Sequence, residues 1–259
     1  MGQCSMTVAM PILSACGHET CILPTALLST HTGGFGKPAV VHFDDALDSI
    51  LQHWMENEIT FDAVLVGYLG SVAAIGTAQK ALDYLLAPGG ISIVDPAMAD
   101  NGKLYSGLTK EYAKAMKELC RRADVILPNV TEAAWFSGME FREELTQEYV
   151  DRLLSGLDHS CVILTGVGYQ LGETGVVVQE EDCRHYFAHE RINKNYHGTG
   201  DMFAACFTGA LMQGKTRFDA VKIAADFVCR AIRNTYDNPA HWYGVKFEPI
   251  LQDLSRMME

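Results

Sequence analysis

A glycine-rich turn followed by a carboxylate is the stretch most suited to chemistry, in the sequence His197-Gly198-Thr199-Gly200-Asp201. Glycines one residue apart allow a tight turn that brings main-chain N–H groups close to a ligand. Residues 202–213 carry apolar side chains at helical spacing and predict a core-facing helix. The unpaired amides and dipole of a helix N-terminus attract anions. The stretch taken alone therefore predicts either an anion site or a capped helix that follows a loop.

Other polar groups follow predicted strands along the chain. They are residues 30–33, residues 67–71, Asp95, Asn129 and Thr165. In doubly wound sheets, ligands bind beyond the carboxyl ends of the strands. We therefore expect these groups and the Gly198 turn to line one active cleft.

This set of residue types suits phosphoryl transfer, which depends on positioning and charge neutralisation more than on covalent chemistry. The amides of Gly198, Thr199 and Gly200 would hold the developing phosphoryl charge, and Asp201 would take the proton of an attacking hydroxyl. Asp95 with the pair Asn129 and Glu132 would organise a hydrated Mg²⁺ on a nucleotide. We predict Asp95 and Glu132 as the metal residues.

Each of these residues also has a purely structural interpretation. Asn129 and Glu132 have the spacing of a capping box, which is the better interpretation of the pair taken alone. Asp95, before Pro96, could simply form a turn. His31 could be a satisfied loop histidine, and Tyr68 an aromatic residue at a rim.

The elements that must position these residues alternate between strands and long helices. This alternation predicts an α/β fold with a doubly wound, mostly parallel sheet and helices on both faces. Without a linker or internal repeat, we expect one domain over residues 1–259. The predicted strands are residues 19–28, 61–69, 91–94, 124–127, 161–164, 175–179 and 184–188. The predicted helices are residues 6–15, 43–58, 73–86, 109–122, 131–137, 145–157, 201–213, 217–235 and 247–257.

Composition narrows the class of protein. A formal net charge of −12 argues against a nucleic-acid partner or an anionic membrane surface. No apolar run reaches the length of a membrane span, and no secretory signal pattern is present. The 8 cysteines include no Cys-x-x-Cys pair, which is typical of free thiols in a reducing compartment. We therefore expect a cytoplasmic protein that acts on small molecules.

Two motif matches are interpreted as accidental. Residues 209–216 fit the P-loop pattern, but they continue a predicted helix instead of joining a strand to a helix. Asn129-Val130-Thr131 fits a glycosylation acceptor, but the sequence shows no secretory route to that modification.

The motifs together resemble a known family. Gly198–Asp201 resembles the anion-hole motif of ribokinase-like kinases, and Asn129-Val130-Thr131-Glu132 resembles their Asn-x-x-Glu motif. Residues 29–33, 67–71 and 94–105 resemble the pyridoxal kinase branch. The resemblance implies a ribokinase-like fold and ATP-dependent phosphorylation of the 5′-hydroxymethyl group of pyridoxal, pyridoxine or pyridoxamine. It also implies Mg²⁺, often a monovalent cation such as K⁺, and commonly a homodimer.

Site roles follow from the same resemblance. Asp201 resembles the catalytic base, and Gly198, Thr199 and Gly200 resemble the anion hole. The residues that resemble nucleotide contacts are Asp95, Asn129, Glu132, Thr165 and the flap residue Tyr105. The residues that resemble substrate contacts are His31, Thr32 and Tyr68.

Two departures from the family pattern leave alternatives open. Family members carry a strand and a serine-containing loop ahead of the equivalent of Gly2, and this sequence lacks them. Some relatives have a cysteine where this chain has His197. His197 cannot form the adduct with an aldehyde that a cysteine forms, so it either contacts phosphate or fills the loop. The alternatives are a hydroxymethylpyrimidine kinase and a catalytically silent protein that binds vitamin B6 or nucleotide.

Overall fold

A central sheet organises the middle of the chain in the computed structural model, which describes residues 1–181, 183–194 and 196–259. Its strands are β3 (Phe61–Val66), β4 (Leu86–Val94), β7 (Val125–Ile126), β8 (Cys161–Thr165), β9 (Glu173–Glu180) and β10 (Cys183–Glu190). The order across the sheet is β10-β9-β8-β7-β4-β3. Strands β3, β4, β7 and β8 run parallel, and β9 pairs antiparallel with β8. The predicted mostly parallel α/β sheet is confirmed.

The parallel strands are apolar because both of their faces are covered. Ile93, Val125 and Val162 are fully buried on three neighbouring strands. The chain forms two compact units, and the first one described, which contains this sheet, spans residues 42–188. Its helices are α2 (Asp44–Glu56), α3 (Val72–Tyr84), α4 (Lys110–Cys120), α5 (Val130–Ser137) and α6 (Gln147–Leu157).

The second compact unit combines residues 1–41 with residues 189–259. It contains α1 (Met6–Ala15), β1 (Ala26–Leu28), α7 (Thr199–Met212), α8 (Arg217–Tyr236) and α9 (Leu251–Met258). A short strand, β2 (Val40–His42), pairs with β1. Helix α7 packs against α1 and α8 and is buried without interruption from Met202 to Ala210. Close packing needs Gly209, because a Cβ there would lie 2.5 Å from the Cys16 sulfur.

The structure corrects two predicted strand boundaries. Within residues 19–28, only Ala26–Leu28 forms a strand. Strand β4 begins at Leu86, so Pro88 and both following glycines lie inside a strand that was predicted to start after them. The pairing of β4 with β3 is irregular between Phe61 and Ala63, and Gly90 lies close to the main-chain carbonyls there. A backbone irregularity, not a chain break, therefore explains these glycines.

The structure also contains a hairpin that the sequence analysis missed. Strands β5 (Ala99–Asp100) and β6 (Lys103–Leu104) pair antiparallel around Asn101 and Gly102. Both turn residues have positive φ, 49° and 76°. Asn-Gly is the sequence signal for this kind of turn, so the hairpin was predictable.

Candidate active site

Helix α7 begins at a residue that cannot supply a side-chain cap. Gly198 is its N-cap residue with φ 80°, and glycine has no side chain that could accept from the first N–H groups of the helix. A Cβ at this position would overlap the main-chain oxygen of Gln3. Only glycine fits both the left-handed conformation and the close approach. The helix starts at Thr199, earlier than predicted, which places Gly200 and Asp201 in its first turn.

Asp201 lies on that first turn and is partly buried. The main-chain N–H of Ser5 donates to its carboxylate and lowers its pKa, but burial has the larger effect and raises the pKa above its usual value. Burial and the nearby Asp201 charge also raise the pKa of the Cys4 thiol to about 11. The Cys4 thiol is therefore protonated and uncharged near neutral pH. Of these two groups, the Asp201 carboxylate is the one that can act as a general base.

Two histidines lie together beside this turn. The rings of His31 and His197 have centroids 4.4 Å apart and are tilted by 42°. His31 is 8% exposed, and its Nδ1 accepts a hydrogen bond of 3.0 Å from the N–H of Gly33. A Cβ on Gly33 would lie 2.7 Å from Nε2 of His197, so glycine leaves the space for that ring. Burial, and then the His197 charge, lower the pKa of His31.

Further aromatic rings complete the cluster around His31. Phe35 meets His31 edge-on at 5.2 Å, and Trp242 meets it edge-on at 6.4 Å. Phe35 and Trp242 are themselves 4.5 Å apart. Thr32, the other predicted substrate residue of this loop, is exposed. The cluster has the composition of a surface that holds a flat heteroaromatic ring.

Helix α5, unlike α7, begins with a complete capping box. Oδ1 of Asn129 accepts from the N–H of Glu132 at 3.0 Å, and Oε2 of Glu132 accepts from the N–H of Asn129 at 2.9 Å. The structural interpretation of this pair is therefore correct.

The same pair also holds the hairpin β5–β6. Oε1 of Glu132 accepts from the main-chain N–H groups of Met98 at 2.9 Å and Ala99 at 3.4 Å. Nδ2 of Asn129 donates to the carbonyl of Ala99 at 2.8 Å. Glu132 is 1% exposed, and burial raises its pKa to about 7 although three main-chain N–H groups oppose that shift. Sequence spacing predicted the pair but could not reveal this second partner.

Asp95 and Thr165 lie at strand ends on the same side of the sheet. The N–H of Asp95, just after β4, donates to the carbonyl of Val66 at the end of β3. Thr165 ends β8, its N–H donates to Pro128 at 3.0 Å, and it bridges to Asn129. The parallel strands thus bring Asp95, Asn129 and Thr165 to one edge, as their positions in the sequence predicted. Tyr105 is 40% exposed, and its N–H closes the hairpin onto Met98.

Tyr68 is accompanied by a tyrosine that the sequence analysis missed. Tyr68 is partly buried, and burial raises its pKa. Tyr112, on α4, is 2% exposed, and burial also raises its pKa, with a smaller effect from nearby Tyr68 and Glu132. The sequence analysis gave Tyr112 no role beyond a place in the predicted helix 109–122, because periodicity does not indicate where a hydroxyl points.

The donor set limits how a cation could bind. Among the described residues, no group of three or more histidine, cysteine, aspartate or glutamate side chains could hold a metal ion. Three N–H groups already occupy the oxygens of Glu132. A carboxylate offers about four lone-pair sites, so little remains for direct coordination. These residues fit a hydrated Mg²⁺ held mainly by nucleotide phosphates, not a cage of protein ligands.

The candidate residues thus form two groups, one in each compact unit. The first group contains His31, Thr32, His197, Gly198, Thr199, Gly200 and Asp201. The second contains Tyr68, Asp95, Tyr105, Asn129, Glu132 and Thr165. In the described part of the chain, no helix has the length and hydropathy needed to span a membrane.

Comparisons with known proteins agree on a class of enzyme. A crystal structure of pyridoxal kinase from Lactobacillus plantarum has 32% identity, a TM-score of 0.90, and coverage of 99% of this chain and 93% of its own. A putative phosphomethylpyrimidine kinase from Bacteroides thetaiotaomicron, crystallised with pyridoxal, has 34% identity, a TM-score of 0.91, and coverage of 98% and 91%. The hydroxymethylpyrimidine/phosphomethylpyrimidine kinase of Haemophilus influenzae is 29% identical over 69% of this chain and 67% of its own.

The fold, with helices on both sides of a mixed sheet, is therefore the ribokinase-like α/β fold of small-molecule kinases. The phosphomethylpyrimidine kinase family model matches residues 12–245. The chain belongs to that family, whose members include kinases named for B6 vitamers and kinases named for hydroxymethylpyrimidine.

Proposed function

We propose that the protein is an ATP-dependent kinase that phosphorylates the 5′-hydroxymethyl group of pyridoxal, pyridoxine or pyridoxamine. The observation that carries the proposal is the start of α7, where an uncapped glycine turn precedes a partly buried carboxylate. The aromatic and imidazole rings beside it support a heteroaromatic alcohol as the acceptor. The relatives solved as a pyridoxal kinase and with pyridoxal support the choice of vitamer.

In this proposal, Asp201 takes the proton from the hydroxymethyl oxygen as that oxygen attacks the γ-phosphorus of ATP. The bond from the γ-phosphorus to the bridging oxygen breaks, and ADP leaves with that oxygen. The amides of Gly198, Thr199 and Gly200 stabilise the charge that develops on the transferred group. The raised pKa of Asp201 suits this role, since a base with a pKa nearer the working pH accepts a proton more readily. His31, Thr32 and Tyr68 contact the ring and its substituents.

On the nucleotide side, Asp95, Asn129 and Thr165 contact ATP, and Tyr105 belongs to a flap over the phosphates. Asp95 would hold a hydrated Mg²⁺, and Glu132 would act on it through water while it fixes the hairpin. When bound, Mg²⁺ would supply positive charge beside the phosphates. The net charge of −12 supports this role, because local amides and a cation must offset the repulsion of a polyanion.

A hydroxymethylpyrimidine kinase is the second candidate. The family name and the relative from Haemophilus influenzae favour it. The reaction at Asp201 would be the same, since both alcohols present a hydroxymethyl group on an aromatic ring. The two candidates therefore differ only in the ring contacts.

Separate kinetic assays with each alcohol distinguish the two candidates. Purified protein is supplied with ATP, Mg²⁺ and either pyridoxal or hydroxymethylpyrimidine, and kcat/KM is measured for each alcohol. We expect a higher value for pyridoxal. Preference for the pyrimidine would overturn the substrate assignment, and binding of either alcohol without turnover by folded protein would identify a silent homologue.

We also propose that the protein is a homodimer. Exposed apolar side chains on β1 and β2 support an interface, since Leu27, Val40 and Val41 are 62%, 42% and 55% exposed. Light scattering should give twice the monomer mass of 28.5 kDa. Leu27→Lys should then shift the mass toward the monomer, and a monomeric wild-type protein would contradict the proposal.

A further inference from the structure

A buried tyrosine hydroxyl faces the loop that carries Tyr68. Tyr112 is the third residue of α4, and its N–H donates to the side chain of the N-cap residue Thr109 at 3.2 Å. Tyr112 is 2% exposed. The main-chain N–H groups of Leu69 and Gly70 point at its hydroxyl oxygen and oppose the rise in pKa that burial causes. Helix α4 therefore presents a polar atom to the main chain of this loop.

The two N–H groups share one oxygen. A hydroxyl oxygen can accept from more than one donor. Within the described residues, neither contact has the geometry of an ordinary hydrogen bond, as two donors on one acceptor allow. A main-chain donor in the interior still depends on such a partner, because without it the donor loses its contact with water and gains nothing.

The ring of Tyr68 lies against the same piece of main chain. Gly70 has φ 78°, and a Cβ there would lie 3.3 Å from Cε1 of Tyr68. The ring thus occupies the space that a side chain at position 70 would need. Leu69, between the two, is 7% exposed. A shift of the main chain at Leu69 and Gly70 would therefore change the position of the Tyr68 ring.

Helix α4 packs between the helices that begin at the candidate site of this compact unit. It contacts α3, which begins just after the loop, and α5, which begins with the capping box of Glu132. Tyr112 lies near enough to Tyr68 and Glu132 for each of them to affect its pKa. A single buried side chain is thus placed beside the loop of Tyr68 and beside the carboxylate that fixes the hairpin.

We propose that Tyr112 is a positioning residue for the acceptor alcohol, because its hydroxyl holds the main chain of residues 67–70 and so fixes the ring of Tyr68. Tyr112 is too deeply buried to touch the alcohol itself. This inference rests on the proposed function, in which Tyr68 contacts the ring of the B6 vitamer, and extends it to a residue outside the sequence motifs.

Tyr112→Phe removes the hydroxyl and keeps the ring. We expect KM for pyridoxal to rise about 3–10-fold, while kcat and KM for ATP stay within about 2-fold, because the lost contact serves binding and not bond making. A lower kcat with an unchanged KM for pyridoxal would overturn the proposal.

Tyr149→Phe is the matched control. Tyr149 is the third residue of α6, is 4% exposed, and its N–H donates to the N-cap residue Thr146 at 3.2 Å. Its hydroxyl donates to the carbonyl of Glu140 at 2.7 Å, in a loop that carries none of the candidate site residues. Both variants should unfold about 2–4 °C below wild type, but Tyr149→Phe should leave KM for pyridoxal unchanged. An equal rise in KM in both variants would assign the effect to lost stability and overturn the proposal.

A double-mutant cycle tests whether Tyr112 acts through Tyr68. Tyr68→Ala removes the ring and should by itself raise KM for pyridoxal. If the Tyr112 hydroxyl only positions that ring, adding Tyr112→Phe to Tyr68→Ala should raise KM by less than about 2-fold more. Effects that multiply in the double variant would show that Tyr112 acts by another route, against the proposal.

Amide exchange followed by NMR gives a readout that needs no turnover. In Tyr112→Phe, the main-chain amides of Leu69 and Gly70 should exchange with water about 10-fold faster than in wild type, and in Tyr149→Phe they should not change. Unchanged exchange in Tyr112→Phe, or exchange that is already as fast in wild type, would show that the hydroxyl does not hold the loop.

The outcomes separate this inference from the proposed function. If pyridoxal is phosphorylated and Tyr112→Phe behaves like Tyr149→Phe, the proposed function stands and the inference fails. If the wild-type protein phosphorylates neither alcohol, the proposed function fails, and amide exchange still decides whether Tyr112 holds residues 67–70.

Discussion

Helices α5 and α7 both carry a carboxylate at the third position of their first turn, but they use it differently. In α5 the N-cap residue is Asn129 and the carboxylate is Glu132, and each side chain bonds the main chain of the other. In α7 the N-cap residue is Gly198, which has no side chain, and the carboxylate is Asp201. The N-terminus of α5 is closed by the side chains of its own N-cap and first-turn residues, whereas the N-cap residue of α7 supplies no side chain to close that helix.

The hydrogen bonds to the two carboxylates explain the difference in role. Glu132 accepts from three main-chain N–H groups, from Met98, Ala99 and Asn129. Asp201 accepts from the main chain of Ser5. A carboxylate whose lone pairs are mostly used holds structure together, while one with lone pairs to spare is available for proton transfer. Burial raises the pKa of both groups, so a raised pKa alone would not distinguish them.

Replacement of Asp201 should produce the largest effect. Asp201→Asn keeps the size of the side chain but removes the base, and we expect kcat to fall by about two to four powers of ten with ATP affinity mostly retained. In the wild-type protein, kcat/KM should rise with pH through a pKa above the usual value for aspartate, because Asp201 must be ionised to accept a proton.

Asp226→Asn is the control for this change. Asp226 is on α8 and forms an exposed ion pair with Arg230. Such pairs contribute little, so activity and its pH profile should be unchanged. Full activity in Asp201→Asn would instead place the catalytic base elsewhere.

A methyl group at Gly198 should have the next largest effect. Gly198→Ala strains a backbone at φ 80° and makes a Cβ overlap the Gln3 carbonyl, so the turn must move. We expect kcat to fall about 100–1000-fold, as for the loss of an oxyanion donor. The control is Gly214→Ala at the other end of α7, which has φ 82° and open space around the new methyl. If both variants lose activity equally, backbone strain and not the anion turn is responsible.

Glu132→Gln tests the closed helix end through the pH dependence of stability. The pKa of Glu132 is about 7 in the native state and lower in the unfolded state, so the native state binds the extra proton. Its contribution to the free energy of unfolding is therefore present below the unfolded-state pKa and is lost as pH rises from there through about 7.

Glutamine cannot accept the Asn129 N–H with its amino end, so the variant should be about 1–3 kcal/mol less stable near pH 5. The difference from wild type should shrink or reverse by pH 8, because only the wild-type protein must ionise a buried group. Chemical denaturation at both pH values measures this. Exposed Glu148 lies in the first turn of α6, and Glu148→Gln should show neither effect. A difference that does not vary with pH would show that Glu132 is already ionised near pH 5.

The sequence predicted where the strand-end residues lie better than it predicted the hydrogen bonds that the site residues make. Asp95, Asn129 and Thr165 were predictable because parallel strands bring their carboxyl ends to one edge. The hydrogen bonds from Met98 and Ala99 to Glu132 were not predictable, because they join segments about thirty residues apart through a hairpin whose docking is tertiary. Likewise, nothing in the spacing of His31 and His197 indicates that their rings meet.

The two wrongly predicted strand boundaries also have a tertiary cause. Pro88, Gly89 and Gly90 are the residues that usually end an element, yet they lie within β4. Pairing with β3 outweighs the local preference of these three residues for a turn, because the irregular register between the two strands accommodates them. Residues 19–25 have strand-like composition but form no strand, which shows that composition without a pairing partner is insufficient.

The smallest effect is expected at Lys215, whose P-loop match the structure explains as accidental. In a P-loop the lysine follows glycines that join a strand to a helix, whereas here Gly209 lies inside α7 and Gly214 comes just after its last turn. Lys215→Ala should therefore leave KM for ATP and kcat within about 2-fold, since most surface substitutions change little. Loss of ATP binding in this variant, measured by calorimetry, would move the nucleotide site to the opposite end of α7 from Asp201. It would also remove the reason for regarding the open N-terminus of α7 as the phosphoryl site.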